Sequence, residues 1–268
     1  RVEEAGRALK TSLAALPLNE QSAAIASIPR VFNRVQDKNF VAKVVEQALT
    51  TAIQNPETAS TAWTTIGRMK REAGEIQAAA EAARAGHAAN RQAPGPIMLA
   101  LSLLNFVPDE VQPMITQYMA GDALPDLRLG YARTLIDLEQ LQASLSQLQQ
   151  LTKQYPEFAP GWLFLGLLQS DLSQTLQSEQ SLKQYLKLAD RVKDLDLSGG
   201  LTEAYFALSQ MAQKQGRWEQ ADEWLARIPG SADPLKVASR RAALLAQQGR
   251  KAEGLLVLEQ LPVSSPQA

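Results

Sequence analysis

Trp63-Thr-Thr-Ile66-Gly67 and Trp162-Leu-Phe-Leu165-Gly166 share one pattern, W-x-x-[I/L]-G, and lie 99 residues apart, three periods of 33. A period of that length is the mark of a repeat architecture, in which each unit is one supersecondary element that buries its apolar face only by stacking on neighbours. Two further units should then lie between the tryptophans. With the tryptophan set as position 4, they can be found, and others follow downstream.

The first clear unit starts at Ser60, with Trp63, Ile66 and Gly67 on a first helix, Gly74 in a turn, and Ala79 and Ala83 on a second helix. The next is degenerate, Pro96 to Phe106 and then Pro108 to Tyr118. A third starts at Pro125, with Tyr131, Ala132 and Leu135, then Leu148, Leu151 and a closing Pro156. A fourth starts at Ala159 and holds Trp162, Gly166 and Leu182; a fifth starts at Thr202 with Tyr205, Leu208, Gly216, Ala221 and Leu225. The last starts near Leu235, with Ala242, Leu245, Gly249 and Leu258. The expected units therefore fall near 60–93, 94–124, 125–158, 159–201, 202–234 and 235–262, one continuous solenoid over 60–268.

The residue types fit that reading. Antiparallel helices approach closely only where small residues face each other, as Gly67, Gly166, Ala79 and Ala221 would, while Trp63, Trp162 and Tyr205 fill the groove beside them. Gly74, Gly216 and Gly249 suit the left-handed residue that ends a helix and reverses the chain. Pro56, Pro94, Pro108, Pro125, Pro156 and Pro234 fall at helix starts or linkers, where a missing N–H does little harm.

Residues 1–59 read as degenerate helical repeats. Asn19 to about Gln36 and Asn39 to about Gln54 are expected to pair, with Val44, Val45, Ala48, Leu49 and Ala52 as an apolar stripe and Pro29 kinking or restarting the first of them. Val2 to Leu16 is an amphipathic helix without an evident partner. Between Ala189 and Leu201 the spacing carries extra residues, read as a long second helix followed by a short loop at Ser198-Gly199-Gly200.

Composition agrees with an all-α chain. Ala, Leu and Gln dominate, and these are good helix formers. With 27 Lys plus Arg against 28 Asp plus Glu there is no field to gather nucleic acid or anionic membrane. Arg240-Arg241 and Arg250-Lys251 then read as solvated helix faces, so no nucleic-acid partner is expected. Cysteine is absent, which removes disulfides, thiol catalysis and thiolate metal sites. The longest strongly apolar run, Trp162 to Leu168, is far short of a membrane span, and no signal peptide is visible. The chain opens at Arg1, as a processed or excised fragment would.

Catalytic chemistry finds little to stand on. One histidine, His87, reads as a surface or inter-helix residue, and no phosphate-cradling glycine motif occurs. Asp194-Leu-Asp196-Leu-Ser198-Gly199 starts like a calcium loop, but its twelfth position is Tyr205, where a bidentate Glu is needed. Glu219, Asp222 and Glu223 sit where a helix start favours acid on dipole grounds alone. No enzyme activity, cofactor or metal is expected.

The W-x-x-L-G pattern, the turn glycine, the alanine at position 20 and the proline at position 32 together resemble the tetratricopeptide repeat, in its bacterial form. The register holds from Ser60 onward. The resemblance implies a right-handed superhelical solenoid of antiparallel helix pairs, whose first helices line a concave face that binds a peptide or a partner helix. By position, that face would carry Thr64, Thr65, Arg68 and Arg71; Leu129, Arg133 and Ile136; Leu163, Phe164 and Leu167; Phe206, Gln210 and Gln213; and Lys236, Ser239 and Arg240. The groove so implied is apolar in the middle and basic toward its ends, suiting a segment with apolar anchors and acidic flanks. Chaperone-binding members hold a C-terminal carboxylate with Lys and Asn at fixed positions; here those positions hold Thr, Leu, Phe and Gly, so no carboxylate clamp is expected.

Phe164 and Phe206 have two readings, groove residues or inter-repeat core. The function implied is a protein–protein interaction module or scaffold; the alternative is a spacer arm of a longer solenoid with no ligand of its own. Homodimerisation through open solenoid ends is a further expectation, at Val2 to Leu16 and Gly254 to Leu261. The expected compartment is bacterial cytoplasm or periplasm, the exported side being favoured by resemblance to bacterial members anchored through an N-terminal segment.

Overall fold

The turn glycines organise the structure, a computed structural model that describes residues 1–191, 198–228 and 234–260. Gly74, Gly216 and Gly249 take φ of 81°, 72° and 80°, the left-handed conformation that costs glycine nothing. Two further turns reach the same conformation without glycine, at Glu139 (φ 59°) and Ser173 (φ 60°). All five close with the same pair of bonds. The residue after the left-handed one donates to the carbonyl five back, as Glu75 N–H does to Lys70 (2.9 Å), Gln140 to Leu135 (2.8 Å), Gln174 to Gln169 (2.8 Å), Arg217 to Ala212 (2.8 Å) and Arg250 to Leu245 (2.9 Å). The left-handed residue itself donates to the carbonyl three back. This double bond satisfies carbonyls that a helix end otherwise leaves open. A non-glycine residue there is strained by its Cβ, so Glu139→Gly and Ser173→Gly are each expected to stabilise the protein by about 0.5–1 kcal/mol. Gly74→Ala should lose a similar amount, since its new Cβ would meet nothing within 4 Å and the backbone alone would object. Thermal melts of the three variants check this.

Among the described residues there are fifteen α-helices, one 3-10 turn and no strand. The chain forms two compact units, Arg1–Gln140 and Leu141–Ala268. The first holds α1 (Val2–Ala14), α2 (Leu18–Val31), α3 (Lys38–Ala48), the 3-10 turn (Ala52–Gln54), α4 (Ala59–Glu72), α5 (Ile76–Ala89), α6 (Pro94–Leu101), α7 (Pro108–Met119) and α8 (Pro125–Asp137). The second holds α9 (Leu141–Gln154), α10 (Ala159–Asp171), α11 (Thr175–Ala189), α12 (Ser198–Lys214), α13 (Trp218–Ala226), α14 (Pro234–Gln247) and α15 (Lys251–Glu259). The division falls after Gln140, within the repeat expected at 125–158.

In the first unit α4 packs on α5 as a helix pair, and Gly67 is the point of approach. A Cβ there would lie 2.3 Å from Leu99 Cδ2 and 3.1 Å from Ala82 Cβ. One cluster, from Ile25 and Val41 through Ile66 and Met69, joins α2 to α5; another, from Ala79 and Ile97 through Ile115 and Leu135, joins α5 to α8. Trp63 is half-buried against the first cluster. His87 is inter-helical and buried, its Nε2 3.2 Å from Gln117 Oε1 on α7.

The N-terminal helices depart from the expected pairing. α3 packs along α1 and α4, and α2 packs on α4 rather than on α3. α1 thus has a partner, and it runs in the same direction: Gly6 faces Gln47, and Lys10 Nζ reaches Thr50 Oγ1 at 3.4 Å. Leu9 and Leu13 of α1 add to the α2–α5 cluster, which is why that amphipathic stripe holds the helix down.

Pro29 does not restart α2; it lies buried in the last turn, two residues before the helix ends. Proline removes the N–H that would have bonded the Ile25 carbonyl. Thr65 of α4 supplies the replacement, its buried Oγ1 donating to Ile25 O at 3.2 Å. Thr65 is therefore a packing residue and not a groove residue. Thr65→Val is expected to cost about 1–3 kcal/mol by leaving a buried carbonyl unpaired. In a Pro29→Ala background the restored N–H should reduce that loss by about half or more, a coupling readable in a double-mutant cycle by urea unfolding.

In the second unit α10 packs on α11, α12 on α13 and α14 on α15. Gly166 is the contact of the first pair, and Ser178 Oγ on α11 donates to its carbonyl at 2.7 Å. Ser209 Oγ repeats the device between α12 and α13, donating to Ala221 O at 2.8 Å. Trp162 is half-buried, with Nε1 on Pro156 O at 2.8 Å. Ion pairs join successive helix pairs. Arg217 holds Glu179 of α11 (Nη2–Oε2 2.9 Å), and Arg241 of α14 holds Asp222 of α13 (Nε–Oδ1 2.7 Å). Hydrogen bonds from Arg217 and Lys183 hold the Glu179 carboxyl below its ordinary range against the opposing effect of burial.

α11 ends at Ala189 rather than running long, and Ser198, Gly199 and Gly200 form the first turn of α12 rather than a loop. Gly200 is there for closeness: a Cβ would stand 2.4 Å from Tyr185 Oη of α11. Asp194 and Asp196 lie outside the described residues, as does Leu261. α15 leaves Leu255 and Leu256 61% and 54% exposed.

Candidate interaction groove

The first helices of three successive pairs in the second unit, α10, α12 and α14, enclose one open cavity of about 220 Å³. Spacing along each helix decides what lines it. Beside Leu225 of α13, α10 contributes Leu167, Ser170 and Asp171; α12 contributes Glu203, Phe206, Ala207, Ser209, Gln210 and Gln213; α14 contributes Lys236, Arg240 and Leu244. These are steps of three and four residues, one face of each helix. The other face of α12 carries Leu208 and Met211 into the core with α11.

Phe206 is the apolar floor. It is half-buried, packed against the cluster of Ala212, Ala221, Leu225 and Leu244. Lys236 lies over its ring, Nζ 4.8 Å from the centroid, a cation–π contact that holds the ammonium at the cavity wall. Gln213 Nε2 donates to Gln247 Oε1 at 2.6 Å and ties α12 to α14 at the far end. The volume is below the roughly 300–1,000 Å³ of sites that engulf a small molecule, and it suits a side chain or two of a longer ligand.

Of the residues expected from sequence, Leu167, Phe206, Gln210, Gln213, Lys236 and Arg240 come together in this cavity. Leu163 and Phe164 are half-buried on α10 and do not line it; Leu163 packs against the first turn of α12, its Cδ2 3.1 Å from where a Gly200 Cβ would be. Ser239 on α14 does not line the cavity, and the other expected residues belong to the first unit. Arg68 and Arg71 on α4 and Arg133 on α8 are exposed, whereas Leu129 is only 9% exposed and is a core residue of α8. Asp171 and Glu203 line the cavity outside the expected set. Glu203 stands three residues before Phe206 and Asp171 four after Leu167, so helical spacing from either anchor would have found them.

The comparisons bear on the architecture. No protein-family model matches the sequence, and no curated protein matches it. Solved structures do: the C-terminal part of a TPR repeat-containing protein from Cytophaga hutchinsonii superposes with a TM-score of 0.55 at 11% identity, over 94% of this chain and 99% of that one. The chain has the tetratricopeptide-repeat fold. YrrB, a TPR protein with an unusual peptide-binding site, gives a TM-score of 0.51 at 14% identity, over 76% of this chain and 99% of its own. PilF of Pseudomonas aeruginosa gives 0.50 at 15% identity, over 78% and 95%. At such identities the likeness is one of fold, and it agrees with the tetratricopeptide pattern read from Trp63 and Trp162. Among the described residues no helix is long and apolar enough to cross a membrane, and no three His, Asp or Glu side chains are placed to hold a metal ion.

Proposed function

We propose that this chain is a protein–protein interaction scaffold that holds a peptide segment of a partner in the α10–α12–α14 groove. The observation that carries the reading is the convergence of Leu167, Phe206, Gln210 and Arg240, from three helices, on one open cavity. An apolar floor inside a polar rim is the anatomy of a peptide anchor site. The fold, shared with YrrB and its peptide-binding site, supports the reading.

The reading is of binding without chemistry. The groove carries no histidine beside either of its serine hydroxyls, Ser170 and Ser209, and the Ser209 hydroxyl donates to Ala221 O. The single histidine of the sequence is held by Gln117 in the other unit.

The test is a photo-crosslinking amino acid placed at Gln210 in cells of the native host, with the exposed Glu81 of α5 as control. A discrete adduct from position 210, absent from position 81 and lost in a Phe206→Glu background, is expected. No adduct from 210, or one indifferent to Phe206→Glu, would remove the groove from the function.

A further inference from the structure

Arg240, Asp171 and Glu203 at this groove make no ion pair among the described residues, while their neighbours are paired. On α14, Arg241 makes a bidentate pair with Asp222, Nε–Oδ1 2.7 Å and Nη2–Oδ2 3.0 Å. Arg217 grips Glu179 in the same way, at 2.9 and 3.4 Å. Arg240, adjacent to Arg241, lines the cavity instead, and among the described residues it makes no ion pair. Asp171 and Glu203 line the same cavity, are exposed, and likewise make no ion pair among the described residues. The two cations of the groove both come from α14, and the two carboxylates come from α10 and α12.

We infer that the groove takes a short protein segment of fixed charge order: a carboxylate toward Arg240 on α14, an apolar side chain between Leu167 and Phe206, and a cationic side chain toward Asp171 and Glu203. This rests on the groove reading above and adds its polarity. Two interhelical spacings of about 10 Å separate α10 from α14, so the segment crosses about 20 Å, or about six residues of extended chain at about 3.3 Å each. Opposite charges at the two ends select direction as well as sequence, because a reversed segment places like charges together at both ends. Arginine at position 240 also offers a planar fork to a carboxylate, which the Lys236 ammonium, already over Phe206, does not.

A display library of random heptapeptides, selected against the whole chain, tests this. It is selected in parallel against a charge-swapped variant (Lys236→Glu, Arg240→Glu, Asp171→Lys, Glu203→Lys) and against Phe206→Glu. All four swapped side chains are exposed, and net charge is unchanged. If the fourfold variant melts lower than wild type, Arg240→Glu alone is used. Peptides enriched on wild type are expected to read acidic, apolar, basic in one direction, and those enriched on the swapped variant to read the reverse. Each synthesised winner should bind the opposite protein about tenfold or more weakly in calorimetric titration. Winners without charge order, or with the same order on both proteins, overturn the inference while leaving the groove reading in place if Phe206→Glu abolishes their binding. Winners indifferent to Phe206→Glu, or no winners at all, overturn both.

Discussion

Arg128→Ala is expected to destabilise the first unit by about 3–5 kcal/mol. Arg128 is 0% exposed, in the first turn of α8. Its Nη2 donates to Met119 O at 2.8 Å and to Gly121 O at 3.3 Å, the carbonyls at and just past the C-terminal end of α7. Those carbonyls gather the negative end of the helix dipole, and a guanidinium is the group that satisfies them without further help. Alanine would remove charge-assisted bonds, leave two acceptors without this donor, and open a void. Arg128→Met separates these contributions. It fills most of the volume and has no charge to bury, so its loss should be about 1–2 kcal/mol, that of the carbonyls alone. Urea unfolding gives both numbers. An Arg128→Ala midpoint within error of wild type would mean that the guanidinium does not hold α7 to α8.

Arg128 also shows where reading the sequence stops. Periodicity reports which residues share a helix face, and the tryptophan spacing, turn glycines and close-approach glycines all follow from it; those features appear in the structure at the expected residues. An arginine in a first helical turn looks the same whether it faces solvent or a carbonyl cluster on the preceding helix, and exposure is its ordinary state. Thr65 is similar: only with α2 beside α4 does its hydroxyl meet the carbonyl that Pro29 leaves open. Ser198-Gly199-Gly200 reads as a loop from the extra spacing between Ala189 and Leu201, while Gly200 in fact serves contact with Tyr185. Glu139 and Ser173 carry no glycine to betray their left-handed turns. In the groove, helical register placed Leu167, Phe206, Gln210 and Arg240 on the face they share. It could not distinguish Phe206, with one face on the core and its ring beneath Lys236, from Phe164, which does not line the cavity.

The second large effect is steric, and it should divide by what the new methyl meets. At Gly166 a Cβ would lie 2.6 and 2.7 Å from Leu182 Cγ and Cδ2, and 3.1 Å from the Leu182 backbone nitrogen. At Gly254 on α15 the nearest atom is the Ala242 carbonyl oxygen of α14, at 2.9 Å, with Ala242 Cα at 3.4 Å. Overpacking of this kind costs about 1–3 kcal/mol, partly offset by the roughly 1 kcal/mol that alanine gains over glycine inside a helix. Gly166→Ala and Gly254→Ala should each still lose about 1–2 kcal/mol, and valine at either site more. They differ in how they can be rescued. Leu182→Ala removes the flexible atoms that oppose a methyl at 166, so the Gly166→Ala, Leu182→Ala double variant should lose less than the two single losses combined. At 254 the obstacle is backbone, and Ala242→Gly removes a methyl that is not the nearest atom, so that double variant should show additive losses. A double-mutant cycle at each site, read by urea midpoint, checks the contrast. Additivity at 166 would place its collision on the 3.1 Å backbone contact, and the pairing of α10 with α11 would then be as fixed in its backbone separation as that of α14 with α15.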